Sequence, residues 1–294
     1  MPPFFDLRAG VDPVYEALRF PDSPNAIQAR QSFDQLWEAA APFLSAEVVA
    51  NARSDFHAVF WEVYLAATLR RLGKQLVPRA ERDSRSSGPD LLQKSPDIFY
   101  EAVAVKPGTA ADAVVEAPAG VVHRMPDPEI SLRLASGLSA KLSKYIRYRE
   151  DGTVPPGTPF ITAINAGAVP VARIERELPR IVRTVFPIGH EVLHLDAATG
   201  RVTGSSYEHR PVLSKQSGAP VSTRFFSEPQ ASGISAVLYS GVDPFNCPDT
   251  AGGDFVLVHN PQATSPAPRG LLPGALEFWI EADRLRGERI ASAG

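Results

Sequence analysis

Proline limits where long helices and strands can lie in this chain. It accounts for 28 of the 294 residues, roughly twice its usual share of about 5%. Because proline breaks helix interiors and central strands, long elements are confined to proline-free windows. Residues 43–77 and 129–154 form two long windows, and residues 188–210 form a shorter one that is rich in turn residues. The two long windows predict helices, and the proline-punctuated segment between them predicts short strands.

The spacing of apolar residues within these limits predicts the order of elements. The N-terminal residues 1–22 are expected to form an extended arm. The predicted helices cover residues 25–40, 46–72 (one or two helices ending at Gly73), 129–149 and 173–185. The predicted strands cover residues 74–79, 89–92, 98–105, 160–165, 191–195, 201–203, 233–239, 255–259 and 276–280, with a hairpin turn at 93–97.

This order predicts a mixed α/β (α+β) fold with a central mixed sheet flanked by helices. It also predicts an N-terminal helical extension and a strand-rich C-terminal part. We divide the chain into an N-terminal arm and helix, residues 1–45, and a single domain, residues 46–294. Within that domain, residues 167–294 are interpreted as a strand-rich elaboration.

Composition excludes several classes of protein. Apolar residues make up 44% and charged residues 21% of the chain, an ordinary balance for a globular protein. The one cysteine, Cys247, rules out an intramolecular disulfide and a cysteine-rich zinc module, and we interpret it as an inert thiol. There is no basic start followed by an apolar run, and no apolar stretch of about 18 residues. We therefore expect a cytoplasmic protein without a membrane segment.

Positive charge is concentrated in two segments, although the net charge is only −3. Residues 70–94 contain seven basic and three acidic residues. Residues 133–149 contain five basic residues and no acidic one: Arg133, Lys141, Lys144, Arg147 and Arg149. Such clusters could hold a phosphate backbone, although a solvated helix face is the simpler explanation of the second one.

Two acidic residues stand alone in apolar segments. Glu62 is the only Asp, Glu, Lys or Arg between Asp55 and Arg70, and Glu101 lies within a predicted strand whose two faces both look buried. A buried carboxylate must be paired, metal-bound or protonated. For Glu62 taken alone, an ion pair with a nearby arginine is the favoured interpretation.

A third acid joins them in the predicted hairpin. Asp90 follows Pro89 at the start of the strand before Glu101. Carboxylates from two neighbouring strands, with Glu62 from a packed helix, would form an oxygen-rich cage suited to a hard cation such as Mg²⁺. Such a cation lowers the pKa of bound water and neutralises charge on a reacting phosphate. Asp97 also follows a proline, but it lies only four residues before Glu101 and is expected in the turn.

The order of these features along the chain resembles that of the PD-(D/E)xK, or restriction-endonuclease-like, superfamily over about residues 55–166. The resemblance rests on Phe-Trp-Glu-Val-Tyr-Leu at 60–65, Leu-Arg-Arg-Leu-Gly at 69–73, Pro-Asp at 89–90 and Tyr-Glu at 100–101. It implies a restriction-endonuclease-like core and a nuclease that hydrolyses phosphodiester bonds with Mg²⁺ or Mn²⁺. It also implies that Asp90 and Glu101 are metal ligands and that Glu62 is an accessory ligand. The implied partner is nucleic acid, with DNA as the leading candidate, and the oligomeric state stays open, a homodimer included.

The chain departs from the family pattern at one position. The family usually carries a lysine two residues after the second acid, where this chain has Val103. Lys141 and Lys144 on the following helix are three residues apart and so share a face. We rank them above Lys106, which has the wrong strand parity for the face of Glu101. If no lysine substitutes, the chain is a catalytically inactive relative with a binding or structural role.

A second motif points to different chemistry. His190, Glu191 and His194 match the HExxH pattern of zinc hydrolases. On a helix the two histidines would lie about 6 Å apart on one face, whereas in a strand they would lie about 13 Å apart. Pro187 and a turn at residues 196–200 favour a strand, so a zinc hydrolase is the lesser alternative.

Overall fold

The protein is represented by a computed structural model that describes residues 4–6, 8–82, 88–116, 118, 120–175 and 178–291. Its described helices are α1 Pro13–Arg19, α2 Pro24–Ala40, α3 Val48–Asn51, α4 Phe56–Arg71, α5 Asp127–Glu150 and α6 Arg180–Val185. Its described strands are β1 Gln75–Leu76, β2 Leu91–Lys94, β3 Ile98–Ala104, β4 Phe160–Asn165, β5 Ile188–Leu195, β6 Val202–His209, β7 Val212–Ser214, β8 Pro220–Ser222, β9 Ala236–Ser240, β10 Val256–His259, β11 Leu276–Glu281 and β12 Arg284–Arg289.

Eight strands form one mixed sheet in the order β1-β2-β3-β4-β9-β10-β11-β12. Strands β2 and β3 pair as an antiparallel hairpin, and β3, β4 and β9 run parallel to one another. Strand β10 is antiparallel to β9 and parallel to β11, which pairs antiparallel with β12. Pairs β5–β6 and β7–β8 form two small separate sheets. The mixed α/β architecture with a large central sheet is therefore confirmed.

Helices cover both faces of the sheet. One core cluster joins residues of α1, α2 and α4 to one face, and the other joins residues of α5 and α6 to the opposite face. Helix α4 is apolar on most sides, as helices buried in a core are. Its fully buried Trp61 donates a hydrogen bond from Nε1 to the Ala163 carbonyl of β4, at 2.9 Å. This contact fixes α4 across the sheet and so sets the position of the next residue, Glu62.

Several sequence-based boundaries are close to those observed. Helix α2, the pair α3 and α4, and strand β4 lie where they were predicted. Gly73 follows the α4 segment with φ +77°, the left-handed conformation typical of a residue just past a helix end. Helix α5 starts two residues before the predicted position because Pro128 occupies its first turn, where no backbone donor is needed.

Three predicted elements are wrong. The arm predicted over residues 1–22 contains α1, because the Asp12 carboxylate accepts hydrogen bonds from Val14 N and Tyr15 N and caps that helix. The helix predicted over 173–185 begins only at Arg180, after Pro179, with residues 176–177 outside the described part. The strand predicted over 74–79 is only β1, and β7, β8 and β12 were not predicted.

No helix in the described part of the chain combines the length and apolar character needed to cross a membrane.

Candidate active site

The β2–β3 hairpin brings two of the predicted acids together. Leu91 pairs with Tyr100 in the antiparallel register, so one step further along the hairpin Asp90 lies opposite Glu101 on the same face. The Asp90 Oδ2 atom accepts a hydrogen bond from the Ala102 backbone N–H at 2.7 Å. Glu101 is fully buried. The hairpin therefore holds both carboxylates in fixed positions.

Helix α5 supplies positive charge to Glu101. Lys141 Nζ lies 2.7 Å and Lys144 Nζ 2.6 Å from the same carboxylate oxygen, Oε1. The other oxygen, Oε2, accepts a hydrogen bond from the Tyr148 hydroxyl at 3.2 Å. The three side chains lie at positions i, i+3 and i+7 of one helix face. The buried carboxylate is thus paired twice, and the lysine side chains are only 16% and 33% exposed.

Glu62 of α4 lines a cavity of about 320 Å³ at the site. Glu62, Asp90 and Lys144 line this cavity, and Arg79 and Asn51 contribute to its wall. Within the described residues, no hydrogen bond or ion pair reaches the Glu62 carboxylate. The arginine ion pair predicted for Glu62 is therefore not found in that part of the chain.

The crowding of these acids changes their protonation. Burial, followed by repulsion from Asp90, raises the pKa of Glu62 to about 8. Burial, followed by repulsion from Glu101, raises the pKa of Asp90 to about 6. Burial acts to lower the pKa of Lys144, but its pairing with Glu101 outweighs this effect and the pKa of Lys144 is raised. Near pH 7, Glu62 is therefore mostly neutral and Lys144 is charged.

The donor set at the cavity is compatible with a hard divalent cation. Glu62 and Asp90 both line the cavity, and Mg²⁺ in proteins often takes only one or two carboxylates and completes its shell with water and substrate phosphate. Among the described residues, however, no group of three or more His, Cys, Asp or Glu side chains is arranged to hold a metal ion. The predicted cage of Glu62, Asp90 and Glu101 thus stays a prediction.

Neither the family's usual lysine position nor Lys106 places a positive charge at Glu101. Val103 is a half-buried residue of β3. Lys106 is 64% exposed and pairs with Asp55 at 2.7 Å. The helix lysines therefore reach Glu101, whereas Lys106 does not.

The competing Pro-Asp lies in the turn as expected. Asp97 is exposed and pairs with Lys94 across the β2–β3 turn at 2.7 Å.

Tyr148 was missed by sequence reasoning, although its position four residues after Lys144 placed it on the lysine face of the predicted helix.

The basic cluster of α5 does not form one surface. Lys141 and Lys144 face Glu101, Arg147 is exposed, and Arg149 donates to the Val154 carbonyl at 2.5 Å. The interpretation as a solvated helix face therefore fits Arg147 and fails for the two lysines.

The HExxH segment is a strand. His190, Glu191 and His194 lie in β5, where all three are exposed, and the His194 Nε2 atom lies 2.9 Å from Ser206 Oγ of β6. Histidines four residues apart in a strand are about 13 Å apart. The geometry that one zinc ion requires is therefore missing from this segment.

Burial raises the pKa of the Cys247 thiol to about 12, consistent with an inert residue.

No family model, curated protein or solved structure matches the chain.

The raised pKa of Glu62 predicts a pH-dependent effect of Glu62→Gln on stability. The folded protein keeps this proton up to about pH 8, whereas the unfolded chain releases it near the ordinary value of 4.5. Between these pH values the folded state binds more protons, so the stability contributed by this group is lost as pH rises through about 8. In EDTA, the melting temperature of Glu62→Gln minus that of the unsubstituted protein should therefore be higher at pH 9 than at pH 5. We expect a gain of at least about 2 °C, the shift that about 1 kcal/mol produces in a large domain.

A matched substitution provides the control for this measurement. Glu38 is an exposed glutamate of α2, and Glu38→Gln should shift the melting temperature by the same amount at both pH values. A difference for Glu62→Gln that does not change with pH would contradict the proposed protonation of Glu62.

Proposed function

We propose that this chain is a metal-dependent nuclease that hydrolyses phosphodiester bonds of nucleic acid at the cavity lined by Glu62, Asp90 and Lys144. The observation that carries the proposal is the convergence of Lys141 and Lys144 on Glu101, which lies opposite Asp90 in the hairpin. The resemblance implied two acids and a lysine in one place. Lys141 and Lys144 would supply the positive charge that the family takes from a lysine at the position of Val103.

The order of elements around the site supports the same proposal. Helix α4 is followed by β1, the β2–β3 hairpin, α5 and the parallel strand β4. This is the order of apolar helix, three strands, basic helix and buried strand on which the resemblance to a restriction-endonuclease-like core rests. Asp90 immediately precedes the second strand, β2, and Glu101 lies in the third, β3.

Asp90 and Glu101 would hold Mg²⁺ or Mn²⁺, with Glu62 as an accessory ligand. Such a cation would supply Lewis acidity and a more acidic bound water. Lys144 lines the cavity and has three donors, of which its hydrogen bonds to Glu101 and Tyr148 use two. The third donor would serve a non-bridging phosphate oxygen on which negative charge builds up. Tyr148 and Lys141 hold the Glu101 carboxylate in place.

A catalytically inactive relative is the second candidate. The observation that favours it is that Glu101 is already fully paired: both its oxygens have protein partners, two of them ammonium groups. In that case the cluster would be structural, and the chain would serve as a binding or structural module.

A cleavage assay on the unsubstituted protein separates the two candidates. End-labelled duplex DNA, single-stranded DNA and RNA are incubated with the protein in Mg²⁺, Mn²⁺ or EDTA. The nuclease predicts cleavage of at least one substrate with either cation and none in EDTA. Calorimetry with Mn²⁺ should show binding to the protein alone. Absence of both cleavage and Mn²⁺ binding would favour the inactive relative, and cleavage that persists in EDTA would contradict a metal-dependent mechanism.

A further inference from the structure

A second cavity lies on the face of the sheet that α5 and α6 cover. Its volume is about 580 Å³, within the usual range for small-molecule sites. Its floor is a row of residues paired across four strands: Tyr239 of β9, Val256 of β10, Leu276 of β11 and Arg289 of β12. Residues that are directly paired point to the same face, so the row presents two aliphatic side chains followed by a guanidinium group.

The opposite wall comes from the segment that follows β4. Arg173 and Glu175 line the cavity there, and Arg173 is exposed to solvent. Gly241, just after β9, allows this approach, because a Cβ atom there would lie only 3.2 Å from the Arg173 Cα atom. The cavity therefore has a largely apolar floor with Arg289 at one end, and Arg173 on the opposite wall.

The acids at the cavity are occupied by other partners. Glu175 accepts hydrogen bonds from the Tyr239 hydroxyl at 2.9 Å and from Arg180 N at 3.0 Å. Asp254 accepts from the Tyr64 hydroxyl and from Ser240 Oγ.

The two arginines of the cavity are not paired with these acids. Arg289 donates from Nη1 to the Gly253 and Gly274 carbonyls, at 3.1 Å and 2.7 Å. Among the described residues, neither Arg173 nor Arg289 forms an ion pair with a carboxylate. In the described part of the lining, the guanidinium groups of Arg173 and Arg289 are therefore the charged donors that a ligand could use.

We propose that this cavity binds a small organic anion. Its apolar ring or chain would lie on Val256 and Leu276, and its carboxylate, sulfonate or phosphate group would pair with Arg173 and Arg289. Apolar lining with a few charged groups is the usual construction of a small-molecule site, and guanidinium groups suit oxyanions because they offer paired donors in one plane. The proposal does not depend on the nuclease function.

The test uses the fluorescent anion 8-anilinonaphthalene-1-sulfonate, which combines an aromatic body with a sulfonate. Titration at low salt should show saturable binding to one site. Arg173→Glu should weaken this binding at least tenfold, since it replaces a charge-assisted contact with repulsion. Arg173→Gln should produce a smaller loss. Arg224→Glu changes the net charge equally at another exposed arginine and should leave the dissociation constant within twofold.

Two further ligands separate the contributions of charge and apolar surface. The uncharged analogue N-phenyl-1-naphthylamine should bind more weakly than the sulfonate and should not respond to Arg173→Glu. Sulfate, which has no apolar body, should compete only at much higher concentration. Absence of saturable sulfonate binding would overturn the proposal. So would equal affinities for the Arg173→Glu and Arg224→Glu proteins, or equally tight binding of the uncharged analogue. Melting temperatures within about 2 °C of the unsubstituted protein show that the variants are folded.

Discussion

Asp90→Asn is expected to lower kcat/KM for metal-dependent cleavage at least a thousandfold. Asp90 lines the site cavity and lies opposite Glu101. An asparagine keeps the shape and can still accept the hydrogen bond from Ala102 N, but it removes the negative charge that a divalent cation requires. The loss should therefore appear as failed Mn²⁺ binding in calorimetry and as lost cleavage, with little change in melting temperature.

The chain contains a matched control for this substitution. Asp97 also follows a proline, but it lies in the hairpin turn, where it is exposed and paired with Lys94. Asp97→Asn should keep cleavage and Mn²⁺ affinity within about twofold of the unsubstituted values. If Asp90→Asn retained more than a tenth of the activity, or if Asp97→Asn lost as much, Asp90 would not be a metal ligand.

Lys144→Met is expected to reduce kcat about a hundredfold to a thousandfold while KM changes little. This is the range observed when one preorganised donor to a developing oxyanion is removed. Lys144 is suited to the role because it lines the cavity and its side chain, paired with Glu101, is one-third exposed. Lys141 remains paired with Glu101 in this variant, so the buried carboxylate keeps a cationic partner and the fold should persist. Single-turnover cleavage rates and thermal melting measure the two effects separately.

Two variants on the same helix sharpen this test. Arg147→Met also removes one positive charge from α5, but Arg147 is exposed and does not contact Glu101. Its kcat should stay within about threefold. Lys144→Arg keeps the charge with a different donor geometry and should recover part of the lost rate. A Lys144→Met protein with unchanged kcat would show that this lysine does not act on the reacting phosphate.

The sequence predicted those parts of the site that depend on local pattern. The burial of Glu101 followed from the apolar residues around it, and the position of α5 followed from a proline-free window. Helix α1 carried a usable signal as well, because Asp12 before Pro13 is a common helix start. Pro13 does not prevent this helix, because it occupies the first helical position, where proline is tolerated.

Packing determined the features that local pattern could not supply. The contact of Lys141 and Lys144 with one oxygen of Glu101 depends on how α5 rotates and slides over β3. The pairing of Asp90 with Glu101 depends on the register that the hairpin turn imposes. Neither relation is encoded in the spacing of residues along one element, and the second cavity, built from four strands and a distant turn, is a still more remote consequence of the fold.

The raised pKa of Glu62 couples cation binding to substrate binding in the proposed reaction. Near pH 7 the cluster of three acids and two lysines is close to electrically neutral, because Glu62 keeps its proton. A divalent cation that displaces this proton would leave the cluster with about one positive charge in excess. A phosphodiester brings one negative charge, so each ligand would improve the electrostatic environment for the other. Such coupling is reciprocal: the factor by which substrate tightens cation binding equals the factor by which the cation tightens substrate binding.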